Sequence, residues 1–261
     1  MASRIRLQTL IELIEQSLVL IIWLVLCMGL FYPWDLFAYP GVSETQITGS
    51  GTTRAIYLIL LFLILLLSTM RLKGIIRQLL LAWPVLILCA WILLSVTWAP
   101  EPVASLSTAV RFFVIVMFSA YVVETYDTLR FVSLLTRGFA IAALLSFAVV
   151  ILFPSLARAN LAGDYADAWR GAFAHKNGLG FCMSFGVIVS GYSYATRTNV
   201  RFLSGATFLG CLCLLILSRS ATSIVATLAS GLVIVANGLD RNEDRQLSPQ
   251  AMYDAHAKPQ N

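Results

Sequence analysis

Charge is what this chain has least of. Asp, Glu, Lys and Arg together make up 12% of its 261 residues, about half the share of an ordinary soluble domain. Its five cysteines, Cys27, Cys89, Cys182, Cys211 and Cys213, lie inside apolar runs and show neither zinc nor redox spacing. The pair Cys211 and Cys213 points to different faces of a helix, so all five read as small apolar filler. No basic stripe interleaves with exposed aromatics, which excludes nucleic acid as a partner. No fixed-period repeat is visible. The first apolar run lacks a small-residue cleavage site after it, and so reads as an uncleaved anchor.

What takes the place of charge is hydrocarbon. The chain is 59% hydrophobic with a mean hydropathy of +0.84. Its apolar runs of about 18 or more residues each match a bilayer core of roughly 30 Å. Inside such a core the backbone must satisfy its own hydrogen bonds, as helices or as a closed barrel. The runs are continuous and rich in Leu and Ile, without strand alternation, so the fold class is all-α: a polytopic membrane helical bundle.

Residues 4–16, RIRLQTLIELIEQ, predict an interfacial amphipathic helix. It feeds a first span over 17–32, followed by a polar loop over 33–53. Further spans are expected at 55–70, 79–98, 109–126, 138–153, 177–195, 202–217 and 221–239. Residues 124–137 form a charged connector and 155–176 a polar loop. Pro84 falls where a helix tolerates it, in the first turns. Pro100 and Pro102 turn the chain, because each disfavours helix in the residue before it. The expected organisation is a membrane domain of about eight transmembrane helices over 1–239. A polar tail follows over 240–261 and reads as a disordered cytoplasmic segment.

Lys and Arg placement sets the orientation. With the N-terminus in the cytoplasm, twelve cations fall inside (Arg4, Arg6, Arg71, Lys73, Arg77, Arg130, Arg137, Arg197, Arg201, Arg241, Arg245, Lys258) and six outside (Arg54, Arg111, Arg158, Arg170, Lys176, Arg219). Both termini are therefore expected inside a bacterial inner membrane. The formal charge of +5 suits loops facing anionic lipid.

The same count isolates a cluster. Arg170, Lys176 and Arg219 are cations beside apolar spans on the side that should be poor in them. An anionic ligand would satisfy them, Arg by a bidentate fork and Lys as a point charge; snorkelling to lipid phosphates is the other reading. Asn177 either holds a ligand oxygen or caps the helix it begins. His175 is either a general base or structural, with Asp164 and Asp167 the nearest acids along the chain. Asp164, Tyr165, Asp167 and Trp169 form an aromatic-acidic patch suited to a sugar, or to an ordinary membrane boundary.

Three stretches resemble the O-antigen ligase and polysaccharide polymerase superfamily, in particular its exopolysaccharide-production branch of rhizobia and relatives. They are LSVTWAPEP at 94–102, similar to that family's S-v-x-W-S-x-x-P turn, RGAFAHKNGLG at 170–180, and LSRSATS at 217–223. The resemblance implies a GT-C-like membrane glycosyltransferase that uses no metal or cofactor. Its substrate would be a polyprenyl-diphosphate-linked oligosaccharide, taken at the periplasmic face and passed to another glycan or lipid. Other polysaccharide assembly and export proteins, and membrane lipids, are the implied partners. Arg170 would contact the diphosphate, with Lys176 and Asn177 lining the same site. Where ligase-like members carry a basic residue after the second serine of the third motif, this chain has Ala221, and its cation is Arg219. Members of the family continue further, with a periplasmic loop bearing a functional histidine. The resemblance thus covers the N-terminal part of a full-length member. A non-catalytic scaffold or export partner in the same pathway is the alternative.

Overall fold

The structure, a computed structural model, describes residues 2–28, 51–157, 168–173, 175–196 and 200–246. Almost all of them are helical. The helices are α1 (Ala2–Met28), α2 (Gly51–Ser68), α3 (Leu72–Leu81), α4 (Trp83–Ser95), α5 (Pro102–Thr125), α6 (Thr128–Leu152), α7 (Lys176–Ala195), α8 (Arg201–Leu217) and α9 (Ala221–Gln246). A single turn, Pro154–Ala157, follows α6. Three helices, α5, α6 and α7, are each long and apolar enough to cross a membrane, and the bent pair of α2 and α3 makes a fourth candidate. Segments α4, α8 and the first part of α9 are apolar but shorter. Among the described residues the fold is therefore an all-helical bundle that includes helices long and apolar enough to cross a membrane.

Several boundaries differ from those expected, each for a local reason. The interfacial helix and first span are one helix: the Ser17 hydroxyl donates back to the Leu13 carbonyl at 2.8 Å, so it rides on the helix and does not cap a new one. The expected third span is divided at Ala82. Pro84 stands in the first turn of α4 and has no N–H to continue the ladder of α3. The charged connector at 124–137 shrinks to Tyr126 and Asp127; Glu124 and Thr125 end α5, and 128–137 are the first turns of α6. Thr128 opens that helix, and Arg130 Nε pairs with Asp127 Oδ1 at 3.6 Å. Helix α9 runs on to Gln246, into the stretch expected to be irregular from 240. The loop at 33–50 and residues 247–261 lie outside the described residues.

Two hydrophobic cores hold the bundle. One is built by α1, α2, α3 and α5 around Val19, Ile22, Ile64, Ile75, Val114 and Tyr121. The other is built by α6, α7 and α8 around Phe139, Ala143, Leu179, Met183, Cys211 and Leu214. Helices α1 and α6 join them: Leu134 belongs to the first core, Leu24 to the second. At the seam, the Trp23 and Phe139 rings meet edge-on, 4.7 Å between centroids.

Candidate functional site

The second and third quoted stretches meet at the head of α7. The Trp169 N–H donates to the Leu217 carbonyl at 3.1 Å, which ties the connector to the end of α8. The next two N–H groups, of Arg170 and Gly171, both reach the Ala157 carbonyl, at 2.9 and 3.3 Å. The connector is thereby strapped across the second core before α7 starts.

Gly171 is what lets it lie so close. Its φ is +56, a left-handed conformation that costs a side-chain-bearing residue roughly 1–2 kcal/mol. A Cβ there would fall 2.8 Å from Ser146 Cβ and 3.0 Å from Ser146 Oγ. That serine is buried in α6, and its hydroxyl has no hydrogen-bond partner among the described residues. One turn into α7, Gly180 allows a second close approach: a Cβ would stand 2.6 Å from Ser220 Cβ and 2.9 Å from Ser218 Oγ.

The turn between α8 and α9 is itself strained. Arg219 adopts φ +48, the only non-glycine residue at positive φ among those described. Its N–H donates to the Ile216 carbonyl at 3.1 Å, and the Ser220 N–H donates to Ser218 Oγ at 3.3 Å. Ser220 then opens α9, its hydroxyl 3.0 Å from that of Ser223. These serines, absent from the sequence-level site, make the floor on which the head of α7 rests.

The cations sit at graded depths. Lys176, the first residue of α7, is only 7% exposed. Arg170 is half-buried, and that burial draws its guanidinium below the ordinary arginine value. Arg219 is exposed at the turn. All three make interactions within the protein. A buried ammonium at a helix N-terminus is placed against the helix dipole, which favours negative groups there.

His175 rather than Asn177 is the N-cap. His175 is extended, with φ −138 and ψ 149, and its Nδ1 accepts from the Asn177 N–H at 3.2 Å. That bond uses Nδ1 as an acceptor, so the remaining ring nitrogen, Nε2, carries the proton. Among the described residues no acid pairs with this imidazole. Asn177 is exposed two positions later. Trp169 packs partly buried against the second core, whereas Asp164, Tyr165 and Asp167 lie outside the described residues. No group of three or more metal-ligating side chains occurs among the described residues. The first quoted stretch stands apart: it forms the end of α4, a short turn over Val96–Trp98 and the start of α5.

Beside the head of α7 opens an apolar groove of about 580 Å³ between α1, α5, α6 and α7. It begins at Gly178, two residues past Lys176, and extends along α7 to Val189. Trp23, Phe118, Phe131, Phe139, Phe181 and Phe185 line it. The groove follows the seam between the two cores. Compared with protein-family models, with curated proteins and with solved structures, the chain matches none.

Proposed function

We propose that this chain is an inner-membrane protein of exopolysaccharide production that handles a polyprenyl-diphosphate-linked glycan at the periplasmic face, in its polymerisation or transfer. On this reading about eight spans cross the membrane, both termini are cytoplasmic, and the architecture is GT-C-like. The observation that carries it lies at the head of α7: a half-buried Arg170 in the connector and a buried Lys176, the latter two residues before Gly178, which lines an apolar groove. A cationic head beside a hydrocarbon channel matches a lipid with an anionic headgroup. A charge-assisted contact to such a group contributes about 1.5–3 kcal/mol, so losing one would weaken binding by roughly an order of magnitude or more.

The test is restoration of polymer to a deletion strain. Arg170→Ala, Lys176→Ala and Arg170→Lys should each lower high-molecular-weight polymer at normal membrane abundance, while Arg158→Ala should not. Full polymer from Arg170→Ala and Lys176→Ala would refute the headgroup site. Phosphatase fusions after Gly49 and Ala162 should be active and those after Lys73 and Thr198 inactive; the reverse pattern overturns the orientation.

One observation favours the second reading, a non-catalytic scaffold or export partner. His175 spends Nδ1 on capping α7, so the one histidine of the cluster is already engaged structurally. Polymer restored by this chain in a strain lacking every other candidate polymerase would reject that reading.

A further inference from the structure

Helix α3 presents three different rows of side chains. Ile75 faces the protein, buried, and Gln78 beside it donates to Glu124 Oε2 at 3.0 Å. Leu72, Ile76 and Leu80 form a second row at helical spacing, exposed by 54%, 47% and 65%. Lys73 and Arg77 form a third row, also exposed, one position further round. The first row explains how α3 attaches to α5. Among the described residues, no element covers the other two.

These two rows ask for different surroundings. Water leaves Leu72, Ile76 and Leu80 unsatisfied, and the hydrocarbon core is costly for Lys73 and Arg77. Only the interface satisfies both, with the helix lying along it. The direction of α3 fits: its axis is bent 112° from α2, nearer to perpendicular than to antiparallel. If α2 crosses the bilayer, α3 runs along its surface.

We propose that α3 is an in-plane interfacial helix whose cations, Lys73, Arg77 and the adjoining Arg71, form a ledge for anionic phospholipid headgroups. The two arginines are aimed from behind by acids on α1 and α5. Arg71 Nη2 lies 3.5 Å from Glu15 Oε1, and Arg77 Nη2 lies 3.6 Å from Glu124 Oε2. Their side chains remain 41% and 69% exposed, so the outer N–H groups of each fork face away from the protein. Lys73 has no ion pair among the described residues. Glu15 is held in turn by the Tyr121 hydroxyl, which donates to Oε1.

The ledge is separate from the head of α7. Glu124 lies in the last turn of α5, just before α6 begins, whereas Ser146 and Ala157 lie toward and beyond the other end of α6. A 25-residue helix spans roughly 37 Å at 1.5 Å per residue. The ledge and the candidate site therefore belong to opposite faces of the membrane. Charge complementarity names the occupant, because three cations on an apolar flank match phosphodiester headgroups above acyl chains. The cytoplasmic leaflet, where anionic lipid concentrates, is the face that the Lys and Arg distribution assigns to α3.

The test uses the purified full chain in two arms. In native mass spectrometry, phosphatidylglycerol should stay bound at concentrations where phosphatidylethanolamine does not. Each cation near the surface contributes about five-fold, so Lys73→Gln with Arg77→Gln should weaken phosphatidylglycerol binding roughly thirty-fold. Arg130→Gln, which removes an exposed cation at the start of α6, should not. Equal retention by the double variant, equal binding of the zwitterionic lipid, or an equal loss in the Arg130 variant would each overturn the ledge. The second arm replaces one side chain at a time and reads depth. In bilayers of phosphatidylglycerol and phosphatidylethanolamine, a nitroxide at Leu80→Cys should be accessible to oxygen, and one at Lys73→Cys to an aqueous nickel chelate. Two water-exposed labels, or two lipid-exposed labels, would refute the in-plane placement.

Discussion

Replacing Gly171 by alanine adds a single methyl group, and its consequences can be worked through from the geometry. The left-handed φ of +56 costs an L-residue roughly 1–2 kcal/mol. The new Cβ meets Ser146 Cβ at 2.8 Å and the Ser146 backbone Cα at 3.3 Å, and such overpacking costs about 1–3 kcal/mol. Alanine's smaller unfolded-state entropy returns about 0.4–1 kcal/mol. The net destabilisation is about 1–4.5 kcal/mol, centred near 3, or roughly 6–12 °C in Tm at that centre for a chain of this size. Size-exclusion profiles of detergent-solubilised protein after heating would measure it. Ser146→Gly removes the Cβ and hydroxyl that the methyl strikes, so the double variant should recover about 1 kcal/mol beyond additivity. Gly231→Ala, in α9 with nothing within 4 Å of its Cβ position, should instead stabilise by roughly 0.5–1 kcal/mol. An unshifted Tm for Gly171→Ala, or strict additivity with Ser146→Gly, would show that the connector does not press on α6 as described.

Two further outcomes follow from the same structure. His175→Asn should preserve the cap of α7 and the Tm, whereas His175→Ala should lose about 0.5–2 kcal/mol; equal losses would show that the capping bond is not what His175 contributes. Tyr126 stands at the end of α5 with its hydroxyl buried and unpartnered among the described residues, so Tyr126→Phe should be neutral or stabilising by about 1 kcal/mol. Burial first, and then the Glu15 carboxylate, pushes this phenol from 10.0 up to about 12. Its contribution is thus complete below pH 10 and lost as pH rises through about 12. Alkaline unfolding curves should show the phenylalanine variant falling less steeply across that window, and superimposable curves would contradict the burial.

The parts of the fold that could be read along the chain are those bounded by strong local signals. Helices α7 and α8 begin within one residue of the expected positions, because polar turns and arginines stop one apolar run before the next starts. Residues 128–137 were harder. Their arginines resemble a connector in composition, yet Leu134 and Thr136 are buried and the helix runs through them. The bend between α2 and α3 and the separate α3 were also out of reach: an apolar run with three cations reads equally as a span end or an interfacial helix. Within the site, Arg170 and Lys176 stand six residues apart along the chain, a spacing that does not disclose the burial of Lys176. The role of His175 was not legible either, since asparagine is much the commoner cap and only the extended backbone at 175 decides between them. The glycines at 171 and 180 stood in the quoted motif, but what each of them touches lies 25 and 40 residues away along the chain.

The division into two cores has a consequence for how the chain assembles during synthesis. Among the described residues, the first core contains none later than Leu134, so it can close once the start of α6 has emerged. Of the described early residues the second takes only Leu24 and neighbouring Trp23, and its other described members run from Leu135 onward. Domains fold N-terminal first as synthesis proceeds, so α1 is already fixed when α7 arrives. The later helices then dock against a finished wall, and the groove at the seam is the last surface to form.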